Sequence, residues 1–150
     1  MKSLKVKIEG DKDLKRKLDL LGERARAALL KAVDAGAEVI EEEANRLAPG
    51  AHVVRGNQQV EGGTAEISVA PDEAHWYYRF FETGASEHEI KGNPLVFEGD
   101  VGLVVTKRVQ HTGMAASPFL RPAVDGQKDA AVKRVGDVFR AEIEALSDGS

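Results

Sequence analysis

The stretch that decides the fold is ERARAALLKAVDAGAEVIEEEANRLAPG, residues 23–50. Its apolar residues recur at steps of three and four, at Leu29, Val33, Ala37, Ile40, Ala44 and Leu47. This spacing places them on one face of an α-helix. The residue before a proline disfavours helical backbone, so Ala48-Pro49 should end the helix. We therefore predict a long amphipathic helix over Glu23–Leu47.

Two shorter elements are predicted before this helix. Leu4 to Ile8 alternates apolar and charged residues, which is the pattern of a half-buried strand. Asp11 or Asp13 can cap a short helix that carries leucines at positions 14, 18 and 21. Gly22 is expected to end that helix, because glycine commonly follows a helix C-terminus.

Two β-hairpins are predicted after the long helix. Gln59–Glu61 and Thr64–Val69 flank Gly62-Gly63, and two glycines between strands favour a tight hairpin turn. A second hairpin should join Leu95–Phe97 to Leu103–Val105. The polar loop from Gly84 to Pro94 should precede it.

An unusual segment, His75–Gly84, lies between the two hairpins and holds five of the eight aromatic residues of the chain. A helix would group Trp76 with Phe80 and Tyr77 with Phe81, whereas a strand would divide the five rings between its two faces. Either geometry leaves aromatic rings on two sides. One side can join the core, and the other either meets a second layer or awaits a partner. Interface cores are enriched in Tyr, Trp, Phe and Arg. The expected interface residues are Trp76, Tyr77, Tyr78, Arg79, Phe81, Glu82, His88 and Glu89.

The last third of the chain predicts a helix. It should start at Ser117-Pro118 or at Arg121-Pro122, because proline is tolerated in a first helical turn. An apolar stripe follows, at Val132, Val135, Phe139, Ile143 and Leu146. Residues 147–150 should fray. The sequence thus predicts an α+β fold, a mainly antiparallel sheet of β-hairpins packed by the long helix and by the C-terminal helix.

Composition limits the classes of protein. The chain has 150 residues, the size of one domain, so we expect a single domain over residues 1–150. There is no cysteine, which excludes disulfides and thiolate metal sites. No apolar run reaches the length of a signal peptide core or a membrane span, so we expect a protein made in the cytoplasm that needs no membrane. The net charge of −4, with scattered basic residues, disfavours DNA binding as the main function.

Catalytic motifs are missing from the sequence. There is no P-loop, no G-x-S-x-G motif and no pair of histidines at a metal-binding i, i+4 spacing. Glu41, Glu42 and Glu43 point in different directions on a helix and cannot converge on one substrate. We expect no enzyme activity, no cofactor and no metal. The alternative that stays open is a metal-dependent hydrolase that uses His88, Glu89 and His111, with Glu82 as a further ligand.

Several motifs, taken in order, resemble a known family. They are the helix that ends in Ala48-Pro49, the aromatic segment Tyr77–Glu82 with Gly84, and Val109–Gly113 leading into Ser117–Ala123. The chain resembles the tail-component family of long-tailed bacteriophages (siphophages), whose members are described as neck or tail-completion proteins. Within these motifs, the residues expected to have a structural role are Pro49, Gly84, Gly113, Pro118, Phe119, Leu120, Arg121 and Pro122. The sequence departs from the family pattern at Val54–Gln58, where a Thr-Gly-x-Leu stretch is usual.

The resemblance implies a function without catalysis. Such a protein is a structural component of the virion, a head–tail connector or minor tail protein at the neck. It would assemble as a homo-oligomeric ring of six subunits around a channel through which DNA passes as cargo. Its neighbours would be head-completion proteins and tail-terminator or tail-tube proteins. An alternative within the same setting is a transient assembly factor that leaves before the particle matures.

Overall fold

The computed structural model describes residues 11–61 and 63–148, and at positions 11–15, 17 and 18 it describes the backbone alone. The predicted strand Leu4–Ile8 lies outside the described residues. The elements run in the order α1 (Asp11–Leu47), β1 (Val53–Glu61), β2 (Thr64–Pro71), α2 (Arg79–Thr83), β3 (His88–Gly99), β4 (Gly102–His111) and α3 (Leu120–Asp148). Short 3-10 helices occupy Pro49–Ala51 and Glu73–Tyr78. The α+β prediction, with hairpins between two long helices, is confirmed.

Helix α1 is one continuous helix of 37 residues, so the predicted break at Gly22 is wrong. A glycine inside a helix costs only about 1 kcal/mol relative to alanine. Gly22 does not have the positive φ angle of a helix-ending glycine. The helix does end at Leu47 as predicted, and Pro49 begins a short 3-10 helix.

The protein body is formed by α1, α3 and the β1–β2 hairpin. Helices α1 and α3 pack along each other, and β1 and β2 both contact α1. An added Cβ at Gly36 of α1 would lie 2.4 Å from a methyl group of Val135, so the two helices are in close contact there. The buried residues of the body are mostly small: Ala28, Ala32, Ala44, Ala51, Val53, Phe119 and Ala123.

The C-terminal helix begins at Leu120, so Pro122 lies in its first turn, as the second of the two predicted starts requires. The predicted apolar stripe is only partly correct, because Val132 is 71% exposed and Ile143 is also exposed. Val135, Phe139 and Leu146 are half-buried as predicted, and Ala131 and Val138 join them on that side of the helix. The helix continues to Asp148, so the predicted fraying at residues 147 and 148 is wrong. None of the described helices is long and apolar enough to cross a membrane.

Both predicted hairpins are present, and both are longer than predicted. In the first, Glu61 pairs with Thr64 and Val53 with Pro71. In the second, Val96 pairs with Val105 and the ladder extends to a pairing of His88 with His111. The predicted polar loop is therefore wrong from residue 88 onward. A register irregularity between Lys91 and Leu95 accommodates Pro94, which cannot donate to a ladder.

The two hairpins form separate two-stranded sheets and not one sheet. Only the first is covered by the helices. The β3–β4 hairpin, which we call the arm (His88–His111), contacts α1 and α3 little. With strands of 12 and 10 residues, it is roughly 35 Å long.

Candidate functional site

The aromatic segment is helical, so the helical grouping of its rings is the correct one. Trp76 and Phe80 lie edge to face with centroids 5.9 Å apart. The guanidinium of Arg79 lies 4.9 Å from the Trp76 ring centroid and 4.8 Å from that of Phe80. Trp76 itself is 54% exposed. This side of the segment therefore presents an aromatic and cationic surface to solvent.

Tyr78 faces the opposite direction and belongs to the core. Its ring stacks on Phe81 at 4.9 Å and meets Phe119 edge to face at 6.2 Å. It packs against the buried cluster that includes Ala44 and Val53. Tyr78 was predicted as an interface residue, but its ring instead anchors the aromatic segment to the body.

Glu82 binds the N-terminus of α3. Its carboxylate oxygens accept hydrogen bonds from the backbone N–H groups of Phe119 (2.8 Å), Leu120 (2.9 Å) and Arg121 (3.0 Å). The first N–H groups of a helix lack partners within the helix, and a carboxylate there also interacts favourably with the helix dipole. Burial by itself would raise the pKa of Glu82, but the three N–H donors and the positive charge of Arg121 outweigh it and lower the pKa. Glu82 is therefore a structural tie.

A second link lies beside this tie and contains two glycines of the quoted motifs. Ala85 and Met114 exchange backbone hydrogen bonds of 2.9 and 2.8 Å. Gly84 and Gly113 have φ angles of +74° and +81°, which glycine adopts without strain. A Cβ on Gly113 would lie 2.5 Å from the Ala85 carbonyl oxygen. We call residues 81–85 and 113–121 together the junction, because they join the arm to the body.

The junction brings together motifs that are about 30 residues apart in sequence. Ser117 N–H donates to the Phe81 carbonyl at 2.7 Å, next to the Glu82 bonds. Phe119, Leu120 and Arg121 thus meet the aromatic segment directly through their bonds to Glu82, and Pro118 and Pro122 flank them in sequence. Gly84, Gly113 and residues 119–121 of the quoted motifs therefore hold the base of the arm, whereas Pro49 lies outside the junction.

A groove of about 370 Å³ opens on the arm side of the junction. Its lining is almost entirely apolar, and consists of Tyr77, Phe80, Phe81, Ala85, His88, Ile90, His111 and Met114. The rings of His88 and His111 stack across the strand pair with centroids 5.0 Å apart. Tyr77, Phe81 and His88 of the predicted interface therefore share one surface.

Further apolar residues lie on the same side along the arm, where Lys107 of β4 separates Val109 from Val105. Opposed residues of an antiparallel pair share a face, and the pairings Ile90–Val109 and Val96–Val105 follow His88–His111 on the same side. Val96 is 55% exposed, Val105 61% and Leu103 73%. We call this strip, from Tyr77 to Leu103, the arm face. Its outer half was not among the predicted interface residues, although the alternation of Leu103, Val105 and Val109 in the sequence gave a signal.

Glu89 lies on the other side of the arm. Its carboxylate pairs with Lys91 at 3.2 Å and with Arg108 at 3.6 Å. Because neighbouring strand residues point to opposite faces, Glu89 is directed away from His88 and His111. Glu82 is bound to α3. The ligand set of the alternative hydrolase, His88 and His111 with Glu89 or Glu82, is therefore not brought together.

The chain was also compared with known proteins, and no protein-family model, curated protein or solved structure matches it.

Proposed function

We propose that this protein is a structural subunit of the head-to-tail interface of a long-tailed bacteriophage, a neck or tail-completion protein that acts by assembly and not by catalysis. Subunits associate through the arm face into a ring, which we propose to be hexameric. The ring contacts head-completion proteins on one side and tail-terminator or tail-tube proteins on the other. DNA passes through its channel as cargo. The protein is made in the host cytoplasm and is retained in the virion.

The observation that carries the proposal is the exposed apolar arm face. Monomeric proteins rarely expose large contiguous apolar patches, and such patches usually mark an interaction site. Val96, Leu103 and Val105 lie side by side on a hairpin that the helices do not cover. A two-stranded hairpin is also marginally stable alone in water, so an arm of this length needs a further contact.

The second support is the construction of the junction. Three hydrogen bonds from the α3 N-terminus to Glu82 and two between Ala85 and Met114 fix the base of the arm against the body. A fixed arm loses little conformational freedom on binding, which favours assembly. A projecting arm that docks on a different surface of the next subunit makes a head-to-tail contact, and such contacts close into rings.

Sedimentation velocity over a range of protein concentrations tests the assembly. Val105→Lys places a charge in the centre of the arm face and should shift the chain to monomer, while its circular dichroism spectrum stays unchanged. Gln110→Lys is the matched control, because it adds the same charge on the opposite side of the same strand. If both variants and the wild type have the same distribution of oligomers, the arm face is not the interface.

The phage role needs a separate test. Mass spectrometry of purified virions should detect the chain in a small, fixed number of copies, and antibody labelling should place it at the neck. Its gene should lie between those of a portal protein and a major tail protein. A chain that assembles in solution but is missing from finished particles would contradict the virion role and favour the transient assembly factor.

A further inference from the structure

Three side chains with metal-binding atoms converge at the start of the aromatic segment, and they are not the ligand set of His88, Glu89 and His111 considered above. His52 precedes β1, Asp72 follows β2 and His75 lies in the adjoining 3-10 helix. One ligand atom from each lies within 4.8 Å of the other two. Among residues 11–61 and 63–148, with the undescribed side chains set aside, no other group of three such residues meets this distance.

The β1–β2 hairpin fixes the position of two of these residues. The Asp72 N–H donates to the His52 carbonyl oxygen at 3.1 Å, directly beyond the pairing of Val53 with Pro71. His52 and Asp72 thus occupy the two strand ends of the hairpin. The pairing of the two strands therefore sets the distance between His52 and Asp72, which lie directly outside the strand ends.

The three side chains lie against one another. The rings of His52 and His75 stack with centroids 4.2 Å apart and an angle of 16° between their planes. The Asp72 carboxylate lies 2.5 Å from Nδ1 of His75 and also accepts a hydrogen bond from the His75 N–H at 2.9 Å. The hydrogen bond from the His75 side chain lowers the pKa of Asp72.

We propose that His52, Asp72 and His75 form a zinc site. Two imidazoles and one carboxylate are a ligand set that Zn²⁺ commonly takes, with a fourth position left open. The ion would replace the proton shared between His75 and Asp72. Those two atoms would then separate by about 1 Å to reach zinc–ligand distances near 2.0–2.2 Å. Because His52 is exposed, the fourth position faces solvent or a neighbouring subunit.

The protein offers an internal control for this proposal. His88 and His111 form a second stacked pair of imidazoles, at 5.0 Å. In the described part of the chain, that pair has no third ligand within the same reach. If zinc binding requires the Asp72 carboxylate, the ion should bind at His52 and His75 and not at His88 and His111.

Isothermal titration of the untagged chain with Zn²⁺ tests the site. The wild type should bind one zinc ion per chain at neutral pH. His52→Asn and His75→Gln should each weaken zinc binding by about tenfold or more, and His88→Gln should leave it unchanged. Asparagine suits position 52 because His52 has a φ angle of 45°, a region that asparagine tolerates.

A second readout comes from Trp76, the only tryptophan and the neighbour of His75. Its emission should change on addition of Zn²⁺ in the wild type and in His88→Gln, but not in His52→Asn. A wild type that takes up no zinc at submillimolar concentrations would overturn the proposal. Zinc binding in His52→Asn and His75→Gln that is as tight as in the wild type would also overturn it, and so would a loss of zinc binding in His88→Gln.

Discussion

The β1–β2 hairpin and the arm have a similar alternating sequence pattern, but the first is packed against a helix and the second is exposed to solvent. Both are antiparallel hairpins with alternating apolar residues and one irregularity in register. The first packs against α1 and begins at Val53, a fully buried residue of the core. No residue of the arm is buried. Alternating apolar residues therefore give each hairpin one face that must be buried. The rest of the chain determines whether helices of the same chain bury that face.

The connections to the body explain why the first hairpin packs on α1 and the arm does not. The first hairpin follows α1 through three residues of 3-10 helix, so it remains beside that helix. The arm is joined to the body at Gly84–Ala85 and Gly113–Met114, where two backbone hydrogen bonds between Ala85 and Met114 hold the two connecting segments together. The arm is thus held at its base alone. We propose that its apolar face is left for another subunit.

The largest expected effect is at Gly113. Gly113→Ala requires an alanine at a φ angle of +81° and places its Cβ 2.5 Å from the Ala85 carbonyl oxygen. We expect the free energy of unfolding to fall by about 3 kcal/mol, from backbone strain and from the displaced junction. Chemical denaturation measures it. The matched control is Gly126→Ala in α3, where no atom lies within 4 Å of the added Cβ and stability should rise by about 1 kcal/mol. Equal effects at the two glycines would contradict the role of the junction.

The next largest effect is at Glu82, the tie between the aromatic segment and α3. Glu82→Ala leaves three N–H groups without their acceptor and should lower the free energy of unfolding by about 2 kcal/mol. Glu82→Gln keeps one amide oxygen as acceptor and should lose about half as much. Thermal denaturation separates the two variants. Wild-type stability in Glu82→Ala would show that the α3 N-terminus does not depend on the tie.

The same tie predicts a pH dependence. The pKa of Glu82 is lower in the folded chain than in the unfolded chain, so its ionised form contributes stability above the unfolded pKa. This contribution is lost as pH falls through the folded pKa. The stability difference between wild type and Glu82→Gln should therefore be constant near neutral pH and shrink below about pH 5. A difference that grows on acidification would contradict the assignment.

A smaller effect is expected in the body. Arg55 of β1 lies among three carboxylates of α1, with its Nε 3.0 Å from Glu41 and a terminal nitrogen 3.6 Å from both Asp34 and Glu38. Arg55→Ala should lower stability by about 1 kcal/mol at low salt and by less at high salt. Removing the exposed pair of Lys133 and Asp137 by Lys133→Ala should cost less than about 0.5 kcal/mol. A salt-independent loss in Arg55→Ala would show that packing, and not charge, holds the first hairpin to α1.

The sequence predicted the elements of the fold better than their extents. The helical spacing of the apolar residues from Leu29 to Leu47 was sufficient to predict this part of α1. The glycines at residues 62 and 63 were sufficient to predict the first hairpin. The break at Gly22 was wrong because a long helix tolerates one glycine. The first half of β3 was predicted as a loop because its residues, His88 to Lys91, are mostly polar. The strand is exposed there, so its sequence lacks the apolar alternation of a half-buried strand.

The candidate interface was predictable in composition but not in orientation. The aromatic surplus identified the segment, whereas the turn of Tyr78 into the core depends on Phe119, which is 41 positions later. The role of Glu82 depends on N–H groups almost as far away. His52, Asp72 and His75 are brought together by the pairing of β1 with β2. Local sequence patterns contain no signal for such contacts.

The central claim is that the arm face is covered by another copy of the chain. The absence of cysteine permits a direct measurement with Leu103→Cys on the arm, and with Lys133→Cys on the exposed side of α3 as the control. Each variant is labelled with an environment-sensitive dye and followed as the protein concentration rises. We predict a blue shift and protection from an aqueous quencher at position 103 alone, in step with the appearance of oligomers. A label at position 103 that stays open to quencher while oligomers form would contradict the account.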